Sequence, residues 1–449
     1  AIGYIAGLGI TTGSSNTIIG SRSGVTLASG SENVSLGYEN FLTGTGSKNV
    51  AIGYQSQRNA TTGNNNTGVG HQALLNNTSA SNNTAFGYFS LRGNSTGTEN
   101  VAVGMQALKV NTQGNYNTAI GTNSLQSNTT GSSNTVVGKN AGLSITSAVN
   151  TVAVGTHAVD ACTTGVSNVG IGNGALGSIT SHYDNTAVGT GAMGSATANQ
   201  CVAMGHSALA NATGTKNVAI GNGALQTNTS GEQNVAVGAF ALDANTTADF
   251  NTAIGVHSLG SNTTGDNNVA VGKSALTTNT SGLSNTAVGF SALFANTTGS
   301  SNTALGRETL FRNTQGNYNV GVGLYTLFEN TTGSSNVGIG QNTLEKNTSG
   351  SNNIALGQQA LYRNTTADYN VGVGAYAGNN LTTGDLNTAI GYSCMNSNQT
   401  ADRNVAVGAQ ALSQFNDSGD TYVTAVGYGA AANSTTAAQF VAVGGSCLG

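Results

Sequence analysis

Histidine and cysteine are the side chains in this sequence best able to bind a metal or to act as nucleophiles. The five histidines are scattered, and none has a second ligand at the spacing of a zinc site. The four cysteines fall at unrelated spacings, which fit neither a disulfide framework nor a zinc pattern. We therefore predict no catalytic residue and no metal site, and expect solvated turn histidines. The residues concerned are His71, His157, His182, His206, His257, Cys162, Cys201, Cys394 and Cys447.

Acidic residues return at one register, as Asp249 and Asp266 and again as Asp368, Asp385 and Asp402. If successive turns of a solenoid carry them, neighbouring carboxylates lie about 5 Å apart. Calcium could bridge such a row. The regular glycine–aspartate nonapeptide of calcium-binding β-rolls is absent, so we favour a solvated turn edge without a metal.

Glycine-rich stretches at 321–328 (GVGLYTLF) and 372–378 (GVGAYAG) imitate a dinucleotide-binding fingerprint. No crossover helix follows either stretch, and the first glycine only replaces an alanine of a longer repeat. We therefore predict no cofactor and no cofactor-binding residue.

A repeat of seventeen residues positions all of these side chains. Numbered from its asparagine, its consensus is N-x-A-[VI]-G-x-x-A-L-x-x-N-T-T-G-x-x, with places called positions one to seventeen. This period is too short for a helical repeat and matches one turn of a β-solenoid. Residues 1–449 are predicted to form a single continuous all-β array, a parallel solenoid of about 27 turns, and to be a segment of a longer fibre protein.

The strand of each turn is predicted at N-x-A-V-G, where side chains alternate between two faces. Position four is bulky and positions three and five are small, so neither face suits water. A strand that is apolar on both faces is buried on both. One face would pack within its own turn and the other against another copy of the chain, because no non-repeating segment is available to cover it.

The remainder of each turn begins with alanine and leucine at positions eight and nine, which predict a second short strand, as at Ala292 and Leu293. Asn-Thr-Thr-Gly then predicts a turn, since asparagine and glycine tolerate a left-handed backbone. Cys394 and Cys447 replace the alanine of position eight, which predicts small buried side chains.

Aromatic residues and glycosylation sequons also recur at fixed positions. Rows of aromatic rings could bind sugars, although stacking between turns is the commoner role; they occur at position ten (Phe294, Phe311, Phe328, Tyr362) and position seventeen (Tyr116, Phe250, Tyr318, Tyr369). Sequon asparagines in a row of turns are expected to cap backbone groups rather than carry glycans; they include Asn128, Asn245, Asn296 and Asn330.

Composition excludes several partners. Only 7% of the residues are charged, the net charge is −4, and no basic run is present. Nucleic acids and anionic membranes are therefore poor partners. No apolar run reaches about 18 residues, so no helical membrane span is predicted.

The phrases NVAIGYQS at 49–56, NVAVGMQA at 100–107 and NVAIGNGA at 217–224 resemble head repeats of YadA-like trimeric autotransporter adhesins. They are also similar to the repetitive shafts of bacteriophage tail fibres. The resemblance extends over the whole chain, although the Asn-Thr-Thr-Gly segment makes this repeat longer than the adhesin repeat. It implies a left-handed parallel β-roll in which three chains pack around a common apolar core.

The leading hypothesis is a non-enzymatic extracellular fibre, a homotrimeric shaft of a cell-surface adhesin or of a virion. Such a shaft would mediate attachment, with a host-surface receptor or glycan as its partner. A first alternative is a single-chain solenoid that binds ice, or another periodic surface, through asparagine and threonine at positions twelve and fourteen. A second alternative is a self-polymerising extracellular filament.

Overall fold

The computed structural model describes residues 1–41, 43–435 and 439–448. Within these ranges the chain forms strands, turns and bends and contains no helix, as predicted. It divides into two compact units, Ala1–Asn222 and Gly223–Gly449. Each unit is a parallel β-solenoid with a repeat of seventeen residues, and the two units contain about 25 turns, close to the expected number.

The first unit consists of three-residue strands that pair in parallel, each with the strand of the next turn. Its described strands are β1 (Thr17–Ile19), β2 (Val34–Leu36), β3 (Val50–Ile52), β4 (Thr67–Val69), β5 (Thr84–Phe86), β6 (Val101–Val103), β7 (Thr118–Ile120), β8 (Thr135–Val137), β9 (Val152–Val154), β10 (Val169–Ile171), β11 (Thr186–Val188), β12 (Val202–Met204) and β13 (Val218–Ile220).

The second unit repeats this arrangement and adds a separate pair of short parallel strands, β24 with β26. Its described strands are β14 (Val235–Val237), β15 (Thr252–Ile254), β16 (Val269–Val271), β17 (Thr286–Val288), β18 (Thr303–Leu305), β19 (Val320–Val322), β20 (Val337–Ile339), β21 (Ile354–Leu356), β22 (Val371–Val373), β23 (Thr388–Ile390), β24 (Thr400–Asp402), β25 (Val405–Val407), β26 (Ser418–Asp420), β27 (Thr424–Val426) and β28 (Val441–Val443).

The strand register places like residues on like residues. In β17 and β18, Ala287 pairs with Ala304, and Val288 pairs with Leu305. The alanine of position three faces the interior and is fully buried, whereas positions two and four face outward. The leucine of position nine fills the interior from the opposite side, as Leu293 does. Most turns thus enclose a narrow core of small side chains and one leucine.

The second short strand predicted at positions eight and nine is wrong. Ala292 and Leu293 lie in a run of turns, and Leu293 has a left-handed backbone with φ of 54°. A left-handed residue leaves the β region, at a cost of roughly 1–2 kcal/mol. The conformation is retained because it buries the leucine side chain, while the Leu293 N–H still donates to the Thr309 carbonyl of the next turn at 2.9 Å.

The glycine of position five ends each strand for two reasons. Gly289 has φ of 136°, a conformation that side-chain-bearing residues rarely adopt. A Cβ atom at Gly289 would also lie 2.5 Å from the carbonyl oxygen of Gly306 in the next turn. The stacked glycines therefore allow the strands of successive turns to pair closely.

Candidate functional site

Asparagines of position twelve form an internal ladder in the second unit. The Nδ2 amide of Asn296 donates to Oδ1 of Asn279 at 2.8 Å and to the Gly299 carbonyl at 2.8 Å. Its own Oδ1 accepts from Nδ2 of Asn313 at 2.9 Å. The same bonds join every turn from Asn228 to Asn364. These amides are buried, and each donates to a carbonyl of its own turn or to the neighbouring asparagine.

A second internal ladder runs through position one. The backbone N–H of Asn302 donates to Oδ1 of Asn285 at 3.0 Å, and Nδ2 of Asn302 donates to the Gly316 carbonyl at 2.8 Å. Nδ2 of Asn313, from position twelve, donates to the same carbonyl. The two ladders therefore meet at the glycine of position fifteen and hold the turn together.

The burial of position twelve decides two of the sequence predictions. The sequon asparagines Asn128, Asn245, Asn296 and Asn330 are fully buried and donate to backbone carbonyls, so the expected capping role is confirmed. The expected outward row of asparagine and threonine is wrong, because the asparagine points inward. Threonine remains at the surface there: Oγ1 of Thr297 donates to the Thr314 carbonyl, and Thr298 is exposed.

The outward strand face is apolar and open to solvent in the single chain. At position four, Leu305 is 48% exposed and Ile339 is 43% exposed. Position two carries valine, threonine or, at Ile354, isoleucine, and these side chains are half-buried in most turns. Because like residues stack in register, the apolar side chains of position four form a continuous row in each unit, flanked by the side chains of position two. The two positions together are called the outer stripe.

Phenylalanines of position ten stack between turns, as the commoner role predicts. The ring of Phe311 lies 5.1 Å from those of Phe294 and Phe328, with interplanar angles of 9° and 6°. Stacked rings cover each other's faces and present only their edges. The row therefore leaves no ring face between these turns for a sugar.

A second aromatic column, at position six, was missed by the sequence analysis. Tyr38, Tyr54, His71 and Tyr88 follow one another with ring centroids 4.9–5.5 Å apart. Aromatic residues at one position in four successive repeats were the available signal. The column shows that His71 is a stacking residue rather than a solvated turn residue.

The aromatic residues of position seventeen are isolated. Tyr116, Phe250, Tyr318 and Tyr369 are each more than half exposed. Among the residues that the structure describes, none of the four has a stacked ring partner. They therefore form no aromatic row.

The remaining histidines do not converge with other ligands. His157 pairs with Asp160 at 3.0 Å, His257 stacks on Phe240, and His206 is exposed. His182 is half-buried in a turn, and its carbonyl accepts from Asn168. Within residues 1–41, 43–435 and 439–448, no group of three or more histidine, cysteine, aspartate or glutamate side chains could hold a metal ion.

Aspartates of position sixteen bind backbone amides of the preceding turn. Oδ1 of Asp266 accepts from the Asp249 N–H at 2.8 Å, and Oδ1 of Asp385 accepts from the Asp368 N–H at 2.7 Å. Oδ1 of Asp402 accepts from the Asp385 N–H at 2.7 Å. The row is thus a turn edge in which each carboxylate joins two turns.

The cysteines are all free thiols, and three of them are buried. Cys394 is fully buried, as predicted, and burial raises the pKa of its thiol to about 12. Cys447 is only half-buried.

Cys162 replaces the asparagine of position twelve in a run of turns with apolar residues there, and Cys201 replaces the asparagine of position one. The ladder of position one continues through Cys201, whose N–H donates to Oδ1 of Asn185 at 3.1 Å and whose Sγ accepts from the Asn217 N–H at 3.5 Å.

The glycines that imitate a dinucleotide fingerprint belong to the strand packing. Gly321 lies in β19, and a Cβ atom there would stand 2.5 Å from Cγ2 of Thr309. Gly372 lies in β22, and its Cβ would stand 2.8 Å from Cγ of Leu361. These glycines therefore make room for inward side chains, and no helix follows them in the described chain.

Charged residues cluster at position eleven in four successive turns of the second unit. They are Arg312, Glu329, Lys346 and Arg363. Nη1 of Arg312 lies 2.8 Å from Oε2 of Glu329, and Nζ of Lys346 lies 3.0 Å from Oε1 of the neighbouring Glu345. In a chain with few charges, this column is a local feature that the sequence analysis also missed.

Comparisons with known proteins add no relative. No family model matches the chain, and no curated protein matches it. No helix among the described residues is long and apolar enough to cross a membrane. The resemblance to adhesin heads and tail-fibre shafts stays a prediction drawn from the repeat motif.

Proposed function

We propose that this chain is part of a non-enzymatic extracellular fibre, a homotrimeric shaft that projects from a cell surface or a virion and mediates attachment. The repeated solenoid turns are compatible with a structural shaft. Like side chains stand in columns, whereas an active site needs unlike groups that converge on one point. This arrangement favours a structural role over catalysis.

The outer stripe is the observation that carries the trimer. In the second unit, its described main-sheet strands extend over roughly 60 Å at about 4.8 Å per turn. Contiguous apolar surfaces of this kind mark protein–protein interfaces more often than solvent-facing walls. A second and a third copy of the chain have the same stripe, and their association would remove it from water.

The mass of the protein in solution tests the proposal. Sedimentation equilibrium should give three times the 44.5 kDa of one chain. The double variant Leu305→Asp and Ile339→Asp should shift this mass to one chain, because it places charges in the outer stripe. Its circular dichroism should remain that of the parent, since neither side chain belongs to the core of the turn.

A matched control places the same charge elsewhere on the same turns. Thr298→Asp with Thr332→Asp changes two exposed residues of position fourteen and should leave the trimer intact. A monomeric parent protein would overturn the trimeric shaft. Continuous threads of the parent in negative stain would instead support the self-polymerising filament.

The ice-binding alternative keeps one supporting observation, the surface threonines of positions thirteen and fourteen. They recur in many turns, as in Thr297 and Thr298. In other turns position fourteen is serine or glutamine, as at Ser281, Gln315 and Ser349. A monomeric parent with thermal hysteresis would establish that alternative. Thr298→Asp with Thr332→Asp should then reduce the hysteresis while the outer-stripe variants leave it unchanged.

A further inference from the structure

A surface groove of about 490 Å³ lies in the second unit, beside the charged column of position eleven. Its lining includes two cations, a tyrosine and three threonines: Lys346, Arg363, Tyr362, Thr348, Thr365 and Thr382. Three elements of the repeat meet here, because positions ten, eleven and thirteen of successive turns all reach the groove. Unlike side chains therefore converge at this groove.

The charge of the groove is positive. Glu329 is within 4 Å of both Arg312 and Lys346, and Glu345 pairs with Lys346. Arg363 has no carboxylate partner within the described chain, and its side chain is exposed. The lining of the groove itself holds two cations, Lys346 and Arg363, and one carboxylate, Glu329. The guanidinium of Arg363 can bind an external carboxylate through two parallel hydrogen bonds.

The ring of Tyr362 is not stacked on another ring of the described chain. The stacked phenylalanines end at Phe328, and Glu345 occupies position ten of the next turn, so Tyr362 stands apart from that row. Tyr362 is half-buried and lines the groove. It therefore brings an apolar ring and a hydroxyl group to the same place.

The threonines present acceptors rather than donors. Oγ1 of Thr348 donates to the Thr365 carbonyl at 2.9 Å, and Oγ1 of Thr365 donates to the Thr382 carbonyl at 3.1 Å. The hydrogen of each hydroxyl is thus already used. The remaining lone pairs can accept hydrogen bonds from hydroxyl groups of a ligand.

We propose that this groove binds an acidic oligosaccharide that carries carboxylates. Arg363 and Lys346 bind a sugar carboxylate, Tyr362 packs against the apolar face of a sugar ring, and the threonine oxygens accept from sugar hydroxyls. The proposal rests on the attachment role proposed above, and it names the chemistry of the partner. A failure of the groove proposal is distinguishable from a failure of the shaft proposal. The groove is tested by oligosaccharide binding, whereas the trimer is tested only by the mass of the protein in solution.

Calorimetric titration of the full chain with tetragalacturonate tests the groove. The parent should bind this probe, and Arg363→Gln should weaken binding at least tenfold. Tyr362→Leu should also weaken it, since the ring face is lost while volume is largely kept. The carboxyl-reduced tetrasaccharide should not bind at the same concentrations.

Lys216→Gln is the matched control, because it removes one exposed cation from the first unit and leaves the groove intact. It should bind as the parent does. If Arg363→Gln and Lys216→Gln weaken tetragalacturonate binding equally, the effect comes from net charge alone, and the proposed site is overturned. Equally tight binding of polyglutamate, or of inorganic phosphate or sulfate, would overturn its selectivity for a sugar. No binding of tetragalacturonate by the parent would overturn the proposal outright.

Discussion

Two groups of turns differ in what fills position twelve. The ladder turns of the second unit carry asparagine from Asn228 to Asn364, and each amide is bonded to the next. The apolar turns of the first unit carry Ile145, Cys162, Ile179, Ala196 and Ala212 there, all fully buried. The same backbone path therefore accommodates a chain of amides or a row of apolar side chains.

At the end of each ladder, a buried amide oxygen has no hydrogen-bond partner. Oδ1 of Asn128 is buried without a partner, because the next turn has Ile145 at position twelve. Oδ1 of Asn364 is likewise unpartnered, because the next turn has Leu381. Each ladder donates in one direction, so its last amide keeps an unused acceptor. A buried amide is thus well accommodated only in an unbroken row.

Breaking the ladder in its middle should produce the largest effect. Asn296→Ala removes three buried hydrogen bonds and leaves Asn279 and Asn313 with unpaired amide groups. Unsatisfied buried groups cost about 1–3 kcal/mol each, so we expect a loss of about 3 kcal/mol in unfolding free energy. Urea unfolding followed by circular dichroism measures it.

The control for that variant lies in the apolar turns. Cys162→Ala removes a buried side chain without an amide and should cost about 1 kcal/mol. Equal losses in the two variants would mean that the ladder adds nothing to the packing of its side chains.

Adding an amide to each group of turns should produce a smaller difference in stability than breaking the ladder does. Leu381→Asn would place an amide between Asn364 and Asn398, so both neighbours can bond to it. Ile179→Asn would place the same amide between Cys162 and Ala196, where neither neighbouring turn has an amide to bond to it. We expect the second variant to be less stable than the first by about 2 kcal/mol, as measured by thermal and urea unfolding.

Alanine variants control for the lost apolar volume. Leu381→Ala and Ile179→Ala remove comparable packing without adding a polar group. If the difference between the asparagine variants only matches the difference between the alanine variants, pairing of amides is not its cause.

The smallest expected effect concerns thiol reactivity in the apolar turns. Burial raises the pKa of the Cys162 thiol, as it does that of Cys394, so little thiolate is present near neutral pH. Iodoacetamide should modify the half-buried Cys447 first, and mass spectrometry of peptides gives the order. Modification of Cys162 as fast as Cys447 would mean that the apolar turns open more readily than their packing indicates.

Much of the fold was predictable because a repeat leaves few choices. The period of seventeen residues predicts a β-solenoid turn, and the recurrent glycine of position five predicts a close approach of backbones. The inward direction of position twelve was also readable: its substitutes Ile145, Cys162, Ile179 and Leu381 are apolar. Asparagine was predicted to be a turn residue that caps backbone groups, and only the ice-binding alternative placed it at the surface.

The groove was not predictable in the same way. Its residues come from positions ten, eleven and thirteen of different turns, and only the threonines of position thirteen belong to the consensus phrase. Only the stacking of turns brings Lys346, Tyr362 and Arg363 together. A single repeat therefore contains no signal for the site.

The sequence by itself determined the period, the like-on-like stacking and the absence of helix, because glycine and asparagine at fixed intervals permit little else. It left open which strand face turns inward, since alanine and valine are both apolar. The tertiary structure decided this: side chains of positions eight and nine fill the interior opposite position three, and a Cβ atom at Gly321 would stand 2.5 Å from Cγ2 of Thr309. A larger residue such as Val136 is buried at position three in a turn whose position nine is glycine, Gly142. The larger residues of position four therefore face outward.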